Sequence, residues 1–209
     1  SYLKGFFNEE AAFRVNRESI NSEISNGNYL PLVATTFDLP LEILIQLFNI
    51  EGSKNIIQFR HLFNFIFFLI GLYFFYKLIR QRFPLFHYQV IGLFFLFLSP
   101  RMFAESFYNN KDIFFLSLII VNMYTGINFL QKPNFINSLW FSFSSALAFD
   151  TRLMAVFFSI IIFFFIFMNS LSNKDYFIKH LKYFISFFIF AFFFVIIFWP
   201  YLWQNPIGN

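Results

Sequence analysis

The chain has 209 residues, 58% of them hydrophobic, 26% aromatic and only 12% charged, about half the charged share of an average soluble domain. That composition excludes an ordinary soluble globule and defines an integral membrane protein. A net charge of +4 spread between apolar runs marks no nucleic-acid surface, and with no cysteine, disulfides, zinc-thiolate sites, iron–sulfur clusters and thiol nucleophiles all drop out.

Residues Ser1 to Gly52 are polar and mixed in charge, with a turn signal in "SNGNYLP". Inside this stretch "FDLPLEILIQLFNI" offers Asp38 as a helix N-cap, Pro40 in the first turn and Leu/Ile at helical spacing. A helix of that length is too short to cross a bilayer and is expected on the membrane surface or inside the protein. Residues 1–55 therefore read as an outward-facing loop with amphipathic helices, and residues 56–209 as a transmembrane domain of about six helices, some short. The chain opens on Ser1 and stops at Asn209 in a loop-like stretch, as a fragment of a longer protein would.

The clearest spans are Arg60 to Ile79, Asp112 to Leu130, Arg152 to Met168 and Tyr183 to Pro200, each near the roughly 20 residues that cross a ~30 Å hydrocarbon core. Tyr88 to Ser99 and Phe135 to Phe149 are shorter, as helices that end inside the membrane profile would be. If the first span runs outside to inside, Lys77, Arg80, Arg82, Lys132, Lys174, Lys179 and Lys182 fall on inner loops with Asp175 the only acid, which obeys the positive-inside rule. Trp199, Tyr201 and Trp203 then fit an aromatic belt on the outer side. The fold class is all-α, a polytopic transmembrane bundle.

Charged residues at membrane depth cost roughly 2.5–3.5 kcal/mol each and are kept paired or facing a cavity. "LSPRMFAESFYNNKDIFFLS" sets Arg101, Glu105, Lys111 and Asp112 within twelve residues on the predicted outer face. Arg101 and Glu105, four apart, can share a helical face, and Asp112 can cap the helix that follows. "AFDTRLMAV" adds Asp150 and Arg152 on the same side. Two readings stand: interfacial helix ends with local ion pairs, or one cavity that takes a phosphate on Arg101 or Lys111 and a hydroxylated ligand on Asp112. Arg60, His61 and Asn64 open the first span, with Arg60 snorkelling to the interface; His87 and His180 fall on the inner side, so the three His do not converge on a metal. Asp38 and Glu42 are outer carboxylates suited to acid/base or divalent-metal chemistry, against the plainer role of Asp38 as a cap.

No Walker loop, dinucleotide fingerprint, serine-hydrolase elbow or HExxH is present. "LSPRMFAESFYNNKDIFFLSL" and "SALAFDTRLMAV", with "FDLPLEIL", "RHLFNFIFFLIGLYFFY" and "WPYLWQNPIGN", resemble bacterial family 39 glycosyltransferases, the group of protein O-mannosyltransferases and lipid A aminoarabinose transferases. The resemblance runs from Asp38 to the C-terminus. It implies a GT-C fold, a polyprenyl-phosphate sugar donor, inverting transfer with a carboxylate base, and cations or a divalent metal on the leaving phosphate. Carried over by position, it sets Asp112 near the donor sugar, Arg101 and Lys111 at cationic positions of the same motif, and Arg152 near the lipid phosphate. Relatives often carry His where this chain has Glu105. The family's acidic pair lies upstream, where only Glu9 and Glu10 of "FNEEAAF" offer candidates for the base.

The expected function is transfer of a sugar from a polyprenyl-phosphate donor to an acceptor (protein, lipid or glycan) at the outer face of the inner, cytoplasmic membrane, among membrane lipids. The alternatives are a transporter of a glycan or lipid head group, whose spans would carry deep charges, and an inactive fragment that has lost the base.

Overall fold

The computed structural model describes residues 35–172 and 174–198. Glu9, Glu10, Trp199, Tyr201 and Trp203 lie outside the described residues. Every element among the described residues is helical: α1 (Thr35–Leu47), α2 (Ser53–Arg82), α3 (Phe86–Phe97), α4 (Pro100–Tyr108), α5 (Asn110–Gln131), α6 (Phe135–Thr151), a 3-10 turn (Leu153–Ala155), α7 (Val156–Ser172) and α8 (Lys174–Phe198).

Four helical segments are long and apolar enough to cross a membrane: Ser53–Arg82, Asn110–Gln131, Leu153–Leu171 and His180–Phe198. The pair α3 and α4 forms a fifth if taken as one broken span, bent by 59°. The bend follows from "LSP": Ser99 is held extended before Pro100, which lacks an N–H and takes the first position of α4. At 12 residues α3 is only about 18 Å long, well short of the core thickness. Helix α6, 17 residues and about 25 Å, still runs between the two ends of the bundle.

The helices extend beyond their apolar runs. Helix α2 begins at Ser53, not near Arg60, and α8 at Lys174, not near Tyr183, because helical hydrogen bonding continues through the polar interfacial turns that hydropathy discards. The axis of the bundle is α5, whose most apolar window is 56% buried against 22% for α2, 22% for the α7 segment and 6% for α8. Helices α2 and α6 pack along α5, and α8 packs along α6.

Small residues allow these approaches. A Cβ on Gly71 of α2 would lie 3.1 Å from Ser117 Cα of α5, and one on Gly126 of α5 would lie 3.0 Å from both Phe141 and Ile162. Helix α6 lays a row of buried serines, Ser138, Ser142, Ser144 and Ser145, into the interior, the small-residue packing typical of membrane helices. Their hydroxyls are satisfied: Ser142 donates to the Ser138 carbonyl at 2.8 Å, and Ser145 to Asn122 Oδ1 on α5 at 2.9 Å.

Helix α1 is not a loose surface helix. Phe37, Leu41 and Ile45, one face at a spacing of four, are buried, and the Phe37 ring meets Phe63 and Phe114 edge-on at 5.3 and 5.0 Å. The turn to α2 needs Gly52, whose φ of 87° lies in the left-handed region.

The two ends differ chemically. Asp38, Glu42, Glu51, Glu105, Asp112 and Asp150 belong to the segments gathered at one end. Lys77, Arg80, Arg82, Lys132 and Lys182 belong to the other. We call these the carboxylate end and the lysine end.

Candidate functional site

The carboxylate end is built where α4 hands over to α5. Asn109 is at once the C-cap of α4 and the N-cap of α5. Its Oδ1 accepts from the Asp112 amide at 3.1 Å, while its Nδ2 donates to Asp112 Oδ2 at 3.0 Å and to Glu105 Oε2 at 3.2 Å. The cap expected at Asp112 is therefore Asn109, and Asp112 occupies the third helical position, where a carboxylate also favours the positive helix N-terminus.

Arg101 and Glu105 pair as their spacing predicts, Nε to Oε1 at 2.9 Å. Their exposures are opposite: the Arg101 side chain is 81% accessible and that of Glu105 only 17%. The guanidinium is open to an incoming anion while the carboxylate that orients it is not. Lys111 is exposed beside them and has no ion-pair partner among the described residues.

Arg152 joins this group from the far side of the sequence. It breaks the helix between α6 and the 3-10 turn, with extended backbone at φ −152° and ψ 129°, and its guanidinium bonds Asp112, 40 positions away. The Arg152 guanidinium also lies 5.3 Å from the centroid of Phe115, over its ring. Asp150 and Arg152, read from sequence as one local dipole, have different partners. Asp150 accepts from the Thr36 amide at 3.1 Å and so satisfies an N–H in the first turn of α1. The Thr36 and Thr151 hydroxyls meet at 3.4 Å beside it.

Asp38 does not begin its helix, which starts by Thr35; it sits in the first turn and pairs with Arg60 of α2. Arg60 is thus tied to a carboxylate rather than snorkelling alone. One turn below, Asn64 donates to the Ser106 carbonyl of α4 at 2.9 Å and fixes α4 against α2. Asp38, Arg101, Lys111, Asp112, Asp150 and Arg152 all belong to this end; apart from Lys111 they fall in two groups, Arg101–Glu105–Asn109–Asp112–Arg152, and Asp38–Arg60 with Thr36–Asp150. They do not line the cavity between α2, α5 and α6.

Asn109 and Thr36 are residues that sequence reading missed, and Asn64 was singled out without its partner on α4. Asn109 had a signal, since Asn-x-x-Asp before an apolar run is a helix-start pattern. Thr36 and Asn64 bond across 114 and 42 positions, and no local pattern announces that.

Among the described residues no three His, Asp or Glu side chains come together as metal ligands. The paired carboxylates Asp38 and Asp112 are each matched to one arginine, and His180 is buried near the Leu130 carbonyl at the lysine end.

Apolar spans with polar groups gathered at their ends define a multi-pass membrane protein. The model of one family, dolichyl-phosphate-mannose-protein mannosyltransferase, matches residues 41–199. The chain belongs to that family of membrane glycosyltransferases of the GT-C type. No curated protein and no solved structure matches it.

Proposed function

We propose that the chain forms part of a glycosyltransferase that takes a sugar from a polyprenyl-phosphate donor and passes it to an acceptor hydroxyl at the carboxylate end of the bundle. One observation carries the reading: Arg101, Glu105, Asn109, Asp112 and Arg152, from two separate sequence motifs, form one connected network. Arg101, Lys111 and Arg152 are three cations for a phosphate, and Asp112 is the hydrogen-bond acceptor beside them for sugar hydroxyls.

In the transfer, a carboxylate takes the acceptor hydroxyl proton as the acceptor oxygen attacks the anomeric carbon. The bond from that carbon to the phosphate oxygen breaks, and its electron pair leaves on the lipid phosphate. Attack opposite the leaving group inverts the anomeric centre. The base in this proposal is Glu9 or Glu10, upstream of the network in the sequence. The cations neutralise the departing phosphate.

The positive-inside pattern turns the carboxylate end outward in a cytoplasmic membrane. Enzyme is preferred to transporter because residues 62–76, 113–131, 133–149, 153–172 and 183–198 contain no Asp, Glu, Lys or Arg, whereas transport of a charged head group calls for charged side chains deep in several spans.

The test is transfer from a labelled polyprenyl-phosphate sugar by the full-length protein in proteoliposomes. Asp112→Asn and Arg152→Ala are each expected to abolish transfer while membrane insertion stays intact. Undiminished transfer in both variants would falsify the assignment.

A further inference from the structure

Between α2, α5 and α6 lies a half-open cavity of about 380 Å³, within the ~300–1,000 Å³ range of small-molecule sites. Its floor is one face of α5, with Ser117, Val121 and Thr125 at a spacing of four, and its walls include Phe67 and Phe74 of α2 and Trp140 of α6. The floor hydroxyls are already committed, Ser117 to the Ile113 carbonyl and Thr125 to the Val121 carbonyl and Ser144. What the interior offers a ligand is therefore apolar contact.

The mouth is different. Tyr124, Asn128 and Asn137 border the cavity toward the lysine end. Lys77 Nζ stands there 4.7 Å from the Tyr73 centroid, 5.5 Å from Phe74 and 5.4 Å from Tyr124, so two of the rings around it also line the cavity. Gln81, between Arg80 and Arg82, donates to Asn128 Oδ1 at 2.8 Å and holds α2 to α5 at this mouth. Among the described residues no carboxylate pairs with Lys77. Aromatic faces steady an ammonium but do not neutralise it.

We propose that this cavity binds one anionic phospholipid from the leaflet at the lysine end, with an acyl chain over the α5 floor and the headgroup phosphate on Lys77. Apolar interior and cationic mouth match the two halves of such a lipid, and anionic lipids concentrate in the leaflet that basic residues face. The site lies at the opposite end of the bundle from Arg101, Asp112 and Arg152, and it stands whether or not those residues handle a sugar donor.

The experiment uses the full-length protein in phosphatidylcholine nanodiscs doped with phosphatidylglycerol carrying a diazirine in its acyl chain, and in parallel with the same probe on phosphatidylcholine. Adducts mapped by mass spectrometry are expected at Val121 and Trp140, with phosphatidylglycerol preferred. Lys77→Gln should lower phosphatidylglycerol adducts there by roughly five- to tenfold, the loss of one charge-assisted contact, and Lys77→Arg should restore them. Val121→Trp, which fills the cavity without touching the cation, should remove cavity adducts and leave those on the outward Phe164 and Phe165 of α7 unchanged. Adducts on α7 with none in the cavity would mean that protein covers it, and equal labelling by the two lipids would mean that Lys77 selects no headgroup; either result overturns the proposal.

Discussion

Asn109 accepts from one backbone amide and donates to two carboxylates, so a single short side chain ties the end of α4 to the start of α5 and both to the ion-pair network. Asn109→Ala is expected to lower stability by about 1 kcal/mol, the usual loss of an N-cap, read from thermal unfolding of the full-length protein in detergent. Asn109→Asp keeps the cap but sets a third carboxylate beside Glu105 and Asp112, and it should melt below wild type at neutral pH. At the other group, Arg60→Leu leaves Asp38 without its arginine, and faster hydrogen exchange confined to α1 is the expected sign. No change in α1 would mean that Phe37, Leu41 and Ile45 hold it unaided. The sequence made the charged residues visible, and the local pair Arg101 with Glu105, but not the partners that come from distant segments. Asp150 and Arg152 look like a pair because they are neighbours, yet the extended backbone at Arg152 carries its side chain to Asp112, and Asp150 is left facing α1.

At the scale of elements, the contact most sensitive to volume is α2 against α5. Gly71→Leu would drive a side chain into Ser117, whose backbone is already within 3.1 Å of an added Cβ. Overpacking of this kind costs typically 1–3 kcal/mol, and a lowered melting temperature with the helical signal retained is the expected outcome. Gly71→Ala should show the same effect in smaller measure; an unaltered melting temperature for Gly71→Leu would show that α2 slides freely on α5. The spans themselves were legible, because an apolar run of bilayer length between charges has one economical structure. Their ends were not, since Ser53 to Phe59 and Lys174 to Lys182 are helical without being apolar. The bend at Pro100 could be read from the proline, whereas the docking of α1 could not, because an amphipathic face suits a protein groove as well as a membrane surface.

For the whole molecule, the gathering of the described carboxylates at one end predicts an orientation, and the composition makes its test clean. The chain has no cysteine, so Tyr108→Cys and Lys132→Cys would each carry the only thiol in this part of the protein. A membrane-impermeant maleimide added to intact cells is expected to label Tyr108→Cys and to reach Lys132→Cys only after permeabilisation. Labelling of both before permeabilisation would mean that α5 does not cross the membrane. The junction at Asn109 has a mechanical side as well. Two helices that share one capping residue have no slack between them, so α4 cannot swing without levering the first turn of α5, the helix around which the bundle is built. Displacing Arg101 together with α4 therefore pulls on the first turn of the central helix, so the group proposed to receive the donor phosphate is tied mechanically to the axis of the bundle.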